Sequence, residues 1–373
     1  MKNVKVCSRC IMDNKSDTSI TFNEKGYCSY CTYALERMPN VYFPNEIGRN
    51  RLEELISKIK QDGRNKKYDC IMGLSGGLDS SYLAYIGYKM GLKILAFHID
   101  DGFNTTIATE NIVNLCKKCN IDLVIEKPDQ KQFNDITLSF FKASLPGVCN
   151  PQDNIIISYL NKNASKYKIK YFLSGANFAL ESILERSNAI NAADGFHIKA
   201  INKIFGTEKI DKLPLVSLFQ TYFKDKYVRR IKFIKPLDLI DYNKNRAISE
   251  LNEFCGFNYY GGKHYENILT RFIQCYYLPE KFMVDKRKSH LSSLIISNQL
   301  TRDEAIREMN KPIYENQELL ESDFSFLLNK LNIDKEYFNE LIARPVNSHY
   351  NYPYSFLNRF EKFARKYRQY LVD

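Results

Sequence analysis

Residues 68–91 carry the feature that most limits the fold. Tyr68-Asp-Cys-Ile-Met-Gly-Leu74 is an apolar, strand-like run. Ser75-Gly-Gly-Leu-Asp-Ser-Ser81 follows, and then a helical pattern, Tyr82-Leu-Ala-Tyr-Ile-Gly-Tyr-Lys-Met-Gly91, closed by a glycine. The alternation continues. Strand patterns fall at 70–74, 94–99, 122–126 and 171–174, and helical patterns at 80–90, 109–120, 133–142 and 154–167. Short apolar strands separated by helices predict an α/β fold with a parallel sheet and right-handed crossovers. A further helix is expected at 51–61, where Leu52, Leu55, Ile56 and Ile59 share one face.

A strand-to-helix turn of small residues is suited to an anion. The helix start offers unpaired N–H groups and partial positive charge. Gly76 and Gly77 allow close approach, and Ser75 and Ser80 add hydroxyl donors. Asp79 repels phosphate, so its presence suggests a helix cap or a magnesium partner. The stretch has neither the lysine of G-x-x-x-x-G-K-[ST] nor the spacing of G-x-G-x-x-G. Ser75-Gly-Gly-Leu-Asp-Ser80 resembles the SGGxDS loop of the ATP-pyrophosphatase (PP-loop) superfamily. That resemblance covers about 68–182 and implies a five-stranded parallel sheet with helices on both faces, and the use of ATP with magnesium. It also implies adenylation of a substrate oxygen, with pyrophosphate leaving into the loop. By the same resemblance, His98 and Asp100 in Phe97–Asn104 lie near adenosine, and Gly175, Asn177 and Glu181 face the reaction centre. Asp79 and Glu181 are thereby candidates for the chemistry, in a crevice at the carboxyl ends of the strands.

Cys7-Ser-Arg-Cys10 and Cys28-Ser-Tyr-Cys31 are separated by 17 residues. Two such knuckles can close a tetrahedral four-sulfur site, which suits structural zinc, with an iron–sulfur cluster as the competing reading. A small hairpin turning near 23–26 is expected between them. Cys116-Lys-Lys-Cys119 lies in a helical pattern and reads as packing.

The remaining composition sets limits. With 373 residues, 44% hydrophobic and 26% charged, the chain is an ordinary globular one of two or three domains. No apolar run is long enough to span a membrane and the first residues lack a signal-peptide core, so a cytoplasmic location is expected. The net charge of +11 suits an anionic partner, although the basic stretch 224–235 reads as a solvated helix face running into a strand. Beyond 260 the pattern becomes helical, with a capping box at Thr301–Glu304 and helices at 324–331, 335–342 and 357–371. The expected organisation is a four-cysteine module at 1–45, an ATP-binding domain at 46–260 and a helical substrate or partner region at 261–373.

Taken end to end, the chain resembles the N-acetyl sugar amidotransferases of bacterial surface-glycan synthesis. The likeness rests on Cys-Ser-Arg-Cys-Ile-Met-Asp13, Gly26-Tyr-Cys-Ser-Tyr-Cys31, the SGGLDS loop, Gly261-Gly-Lys-His-Tyr-Glu266, Thr270-Arg-Phe272, Leu278-Pro-Glu-Lys-Phe282 and Asp285-Lys-Arg-Lys-Ser-His-Leu-Ser-Ser293. It implies conversion of an acetamido to an acetamidino group on a relative of pseudaminic or legionaminic acid, or on a nucleotide-linked diacetamido uronic acid. Lys263, His264, Lys286 and Arg287 are candidates for phosphate or carboxylate contacts, Lys263 also for the chemistry, and Arg186 and Lys199 are weaker candidates. Residue 2 is Lys and no G-x-C-x-G string occurs, so ammonia is expected from a separate glutaminase, with a possible channelling subunit. The alternative is a tRNA thiolation enzyme of the same superfamily. Cys149 would then serve as a loop nucleophile, although packing or substrate contact are equally open for it. Nucleic acid is the less expected partner, because that alternative leaves the motifs at 261–266 and 285–293 unused.

Overall fold

The computed structural model describes residues 4–185 and 189–360. Five strands form one parallel sheet: β1 (Cys70–Gly73), β2 (Ile94–Ile99), β3 (Asp122–Glu126), β4 (Tyr171–Leu173) and β5 (Lys232–Ile234), in the order β3-β2-β1-β4-β5. The central strand is apolar on both faces, with Cys70, Ile71 and Met72 fully buried, as a doubly covered parallel strand requires. Met72 is in register with Ala96 of β2 and Leu173 of β4. The chain moves outward from β1 through β2 to β3 and then returns to the other side for β4 and β5. This reversal opens a crevice at the carboxyl end of β1, the place where such sheets take ligands. The basic stretch 224–235 ends in β5, an edge strand whose Lys232 and Phe233 are exposed. A lysine there blunts the open edge.

The helix Leu78–Lys89 starts directly after the Ser75–Gly77 turn. Gly76 has φ +77°, and a Cβ there would lie 2.2 Å from the carbonyl oxygen of Ala108. Only glycine allows the turn to press against the helix Thr106–Cys119, which Thr105 caps by accepting from Ala108 N. Cys116 and Cys119 lie on its buried face, as packing residues do.

The region beyond 260 is helical. Thr301 and Glu304 form the expected capping box on the helix Arg302–Met309. The helices Gln317–Leu331 and Lys335–Ala343 bury Phe324, Leu327 and Phe338 against Phe141, Phe272 and Tyr277. The helix expected at 357–371, with Lys362, Arg365, Lys366 and Arg368, lies outside the described residues beyond 360. No described helix is long and apolar enough to cross a membrane.

At the N-terminal end the four expected cysteines meet. Their sulfurs all lie within 4.8 Å of one another. Cys7 Sγ is 3.8 Å from Cys31 Sγ, and Cys10 Sγ is 3.8 Å from Cys28 Sγ. Tetrahedral zinc with bonds of about 2.3 Å sets its sulfurs ~3.8 Å apart, so the thiols fit this ion. Backbone N–H groups of Cys10 and Cys28 point at Cys7 Sγ, and that of Cys31 at Cys28 Sγ, as around thiolates. The expected hairpin is reduced to one bridge, Phe22 to Cys28, with Gly26 N donating to Asn23 O at 2.9 Å. Four protein sulfurs would leave zinc no open position, so its part would be structural.

This module docks on the helix Arg287–Ile296 and its successor. Ile11 N donates to Ser292 Oγ at 3.3 Å, Arg302 Nε donates to Cys10 O at 3.1 Å, and Lys288 pairs with Asp13. One apolar cluster accordingly runs from Cys7 through the sheet to Ala305. Metal analysis of the purified chain is expected to find one zinc per chain and no iron. Cys28→Ser is expected to lose that zinc and to lower the thermal midpoint by several degrees; a variant that melts like the wild type would show that the module does not support the fold.

Candidate active site

The turn leaves β1 at Leu74, whose N–H still donates to Phe97 O at 2.8 Å. Its hydroxyls close on one another: Ser75 Oγ is 3.2 Å from Ser80 Oγ and accepts from Gly77 N at 3.1 Å. Leu78 N donates to Tyr260 OH at 2.8 Å. The loop after β4 packs against the same turn, where a Cβ on Gly175 would lie 3.2 Å from Ser80 N.

Asp79 sits in the first helical turn with both oxygens engaged. Tyr242 OH donates to Oδ1 at 2.6 Å and Lys263 Nζ to Oδ2 at 2.8 Å. The same ammonium is 2.9 Å from Glu181 Oε1. Burial favours the neutral carboxyl, but the charge of Lys263 and the hydrogen bonds to Lys263 and Tyr242 outweigh it, so Asp79 lies below the usual carboxylate range. Burial opposes the charge on Lys263 as well, yet Asp79 and Glu181 hold it protonated well above the ordinary range. Burial and then the Asp79 charge push the Tyr242 phenol well up, so it stays a donor.

Two cavities adjoin the loop. The larger, of about 700 Å³, lies over the ends of β1 and β2 and is lined by Leu74, Phe97, His98, Asp101, Cys149 and Asp153. The second, of about 650 Å³, is lined by Asp79, Ser80, Gly175, Glu181, Lys263 and further cationic side chains, among them Lys244, Lys286 and Arg287, together with His290, whose imidazole burial and the neighbouring positive charges hold neutral. Ser75, His264, Glu266, Gln274 and Lys286 line both.

The structure brings most of the candidates together. His98 Nδ1 is 2.8 Å from Leu74 O, a carbonyl that can only accept, so Nδ1 carries the proton. Its Nε2 then accepts from Asn104 Nδ2 at 3.0 Å. His264, in a positive-φ conformation, has Nδ1 3.9 Å from Glu266 Oε1. Burial lowers the pKa of this imidazole, but Glu266 and Glu181 together leave it above the ordinary value. Cys149 lines the larger cavity with its thiol pushed up to about 12 by burial and by Asp153.

Other candidates are placed differently. Asp100 lines neither cavity; it turns out to Lys127 at 2.8 Å, while its neighbour Asp101 turns in. Asp101 is buried, accepts from Phe103 N at 2.9 Å and from Gln152, and burial pushes its carboxyl up. Asn177 caps the short helix Phe178–Glu181 through Leu180 N and donates to Gly175 O at 3.0 Å, so it shapes the loop from below. Arg287 is committed to Asp285 at 2.7 Å and to Lys311 O at 2.8 Å. Lys286 pairs with Glu185 at 2.8 Å while lining both cavities. Lys199 is exposed and lines neither cavity, and Arg186 lies outside the described residues.

Sequence reasoning missed Tyr242, Tyr260, Asp101 and Glu266. Glu266 stands at the junction of the cavities: Oε1 accepts from Ser75 Oγ at 3.2 Å, and Oε2 is buried without a partner among the described residues. Its signal was its place in the 261–266 motif. Tyr242 and Tyr260 had none, because a lone tyrosine in an apolar context reads as core.

Residues 266–367 match the family model described as "LPS biosynthesis protein WbpG-like, C-terminal domain". No curated protein matches the chain. Among solved structures it is similar to an NMN synthetase from Francisella tularensis, at 14% identity and TM-score 0.35, over 73% of this chain and 95% of that one. It is also similar to an NH3-dependent NAD synthetase from Campylobacter jejuni, at 19% identity and TM-score 0.29, over 48% of this chain and 78% of that one.

The loop after β4 is held from beneath by Asp238, in the turn Pro236–Leu239 after β5. Asp238 is buried, and its Oδ1 accepts from Phe178 N at 2.5 Å. Burial pushes its carboxyl up to about 6. The unfolded chain ionises first, so this group's contribution is complete below about pH 4 and is lost as pH rises towards 6. Asp238→Asn keeps an acceptor for Phe178 and cannot ionise. Denaturant unfolding is expected to find it more stable than wild type at pH 7.5 by ~1–3 kcal/mol, and equal to it near pH 4. A variant less stable at both pH values would contradict this account.

Proposed function

We propose that the chain is an ATP-dependent, AMP-forming amidotransferase. It converts an acetamido group of a sugar to an acetamidino group, in the cytoplasmic synthesis of a lipopolysaccharide or related surface glycan. The observation that carries this reading is the position of the Ser75–Ser80 loop: it stands at the switch point of a parallel sheet, between a cavity over the strand ends and a cavity lined by cations. The WbpG-like match over residues 266–367 supports the glycan context.

In the proposed reaction the acetamido oxygen attacks the α-phosphorus of ATP, and the bond to the β-phosphate breaks. Pyrophosphate leaves onto the loop, where the N–H groups at the start of the helix Leu78–Lys89 and the hydroxyls of Ser75 and Ser80 meet its charge. Ammonia then adds to the imidate carbon, a proton is lost, and AMP departs with the former carbonyl oxygen. Lys263 keeps Asp79 and Glu181 from repelling the phosphates, and Lys244 and Lys286 add positive potential on the pyrophosphate side. Magnesium would further neutralise the phosphates. Among the carboxylates at the loop, Glu266 has the unpartnered oxygen that fits it, whereas both oxygens of Asp79 are engaged. Ammonia would come from a separate glutaminase. No observation favours tRNA thiolation: Cys149, the one cysteine lining the larger cavity among the described residues, is held as an unreactive thiol.

The test is incubation with ATP, magnesium and ammonium against a panel of N-acetylated nonulosonates and nucleotide-linked diacetamido sugars, read by mass spectrometry. Wild type is expected to exchange oxygen for NH, forming equal amounts of AMP and pyrophosphate. Lys263→Met and Ser75→Ala are expected to lower kcat about 10²–10³-fold and about 10-fold respectively, by analogy with the loss of single charge-stabilising groups. ATP turnover stimulated by tRNA, with no product on any sugar, would replace this reading by the thiolation one.

A further inference from the structure

Two histidines meet in the wall of the larger cavity. His197, on the helix Gly195–Phe205, and His349, opening the turn His349–Asn351, are both buried. His197 Nδ1 lies 2.9 Å from Pro353 O. A carbonyl only accepts, so Nδ1 carries a proton. In a neutral ring, His197 Nε2 is then an acceptor; it lies 3.0 Å from His349 Nδ1, which must donate. This leaves His349 Nε2 as an unprotonated nitrogen. It is buried and has no partner among the described residues. Burial, together with the neighbouring ring, pushes His349 down to about 3, and burial lowers His197 as well, so both rings are neutral at pH 7.

A second unpartnered group stands beside the first. Asn150 Nδ2 is also buried without a partner among the described residues. The two atoms converge on Gly147, where a Cβ would lie 2.6 Å from His349 Nε2 and 2.8 Å from Asn150 Nδ2. Gly147, Asn150 and His349 all line the cavity. A buried polar atom left unpaired is destabilising, so two together at a cavity wall point to a ligand that satisfies them.

We propose that His197 and His349 form a fixed-tautomer pair that presents Nε2 of His349 as an obligatory hydrogen-bond acceptor beside the Asn150 Nδ2 donor, and that the two together bind a neutral ligand group in the larger cavity that donates to the first and accepts from the second. The group is a hydroxyl or an amide of the sugar, or the edge of adenine in ATP where the amine stands beside a ring nitrogen. His349 Nε2 cannot donate in this tautomer, so a ligand that sets an acceptor against it is rejected, while Asn150 Nδ2 requires an acceptor beside it. These three residues therefore select substrates and position them. The sugar alternative rests on the amidotransferase reading; the tautomer and the ATP alternative do not.

The first measurement is nitrogen NMR of the ¹⁵N-histidine-labelled chain at pH 7. His197 and His349 are expected as neutral Nδ1–H tautomers; an Nε2–H or a charged ring at His349 overturns the proposal whatever the reaction is. The second compares His349→Phe, His349→Gln and Gly147→Ala, each checked for a wild-type melting profile. With a sugar from the panel that wild type converts, Phe is expected to raise the KM of that sugar or of ATP by ~10–100-fold with kcat unchanged. Gln, which offers an amide oxygen at the same reach, is expected to recover most of the loss. Gly147→Ala keeps both histidines but fills the gap, and is expected to raise the same KM. Unchanged KM values for both substrates in His349→Phe and Gly147→Ala overturn the proposal. If wild type converts no sugar, the amidotransferase reading fails instead. The tautomer, and ATP affinity by calorimetry in the same variants, then decide this one: unchanged affinity overturns it and weakened affinity assigns the donor to adenine.

Discussion

One ammonium organises the site. Lys263 Nζ stands between Asp79 Oδ2 and Glu181 Oε1, 2.8 Å and 2.9 Å away. Its partners belong to the turn after β1 and the loop after β4, two strands adjacent in the sheet, and the lysine itself comes from the segment that follows the sheet. Three separate parts of the chain are thus tied at the reversal of strand order. The three charges are largely withdrawn from water, and an unpaired buried charge costs about 3–5 kcal/mol once a partner is lost. The tie is therefore a condition for placing the loop as well as for its electrostatics. It also accounts for an aspartate at the start of a helix that is otherwise built for anions: paired with Lys263, Asp79 contributes little negative potential.

The rest of the site follows from that placement. The turn can lie flat against the helix Thr106–Cys119 only because Gly76 lacks a side chain, and the β4 loop can reach Ser80 only because Gly175 does. With both close approaches made, Ser75 faces two spaces at once, and Glu266 reaches it from the far segment. The larger space has mixed polarity and buried unpaired groups; the second is lined by cations. Such a division suits a reaction that joins a neutral acceptor to a nucleotide on one side and releases a polyanion on the other.

How much of this could be read from sequence depended on whether a role is local. The strands, the crossover helices and the strand–turn–helix at 68–91 were legible because they rest on apolar period and on glycine, which act within a few residues. The four cysteines were legible because a knuckle is a local turn. Asp100 was misplaced by one residue, since which of two adjacent aspartates turns inward is set by the path after β2. Arg287, read as a candidate phosphate or carboxylate contact, lines the second cavity, but its pairing with Asp285 two residues before it depends on how the chain turns there. Tyr242, Asp101 and His349 carried no signal: their function lies in a partner 163, 166 or 152 positions away, as with Tyr242 and Asp79, Asn267 and Asp101, and His197 and His349.

The cysteine module shows the same non-local logic at the scale of a domain. Its cysteines line neither cavity, yet it grips the helix that does. Ile11 N and Asp13 hold one side of the helix Arg287–Ile296 through Ser292 and Lys288. Ser289, Ser292 and Ser293 are wholly buried on it, and Ser293 Oγ accepts from Ile183 N at 3.0 Å, two residues after Glu181. Lys286 and His290 stand at the same end, lining the cationic cavity. Serines in place of larger residues let the knuckle and the β4 loop both come close to this helix, and their hydroxyls satisfy backbone groups that close packing would strand. Closed by a metal, the knuckle would be a stiff clamp that needs little apolar core of its own. Placed against this helix, it would fix the cationic wall relative to the loop, and its Ser16 lines the larger cavity.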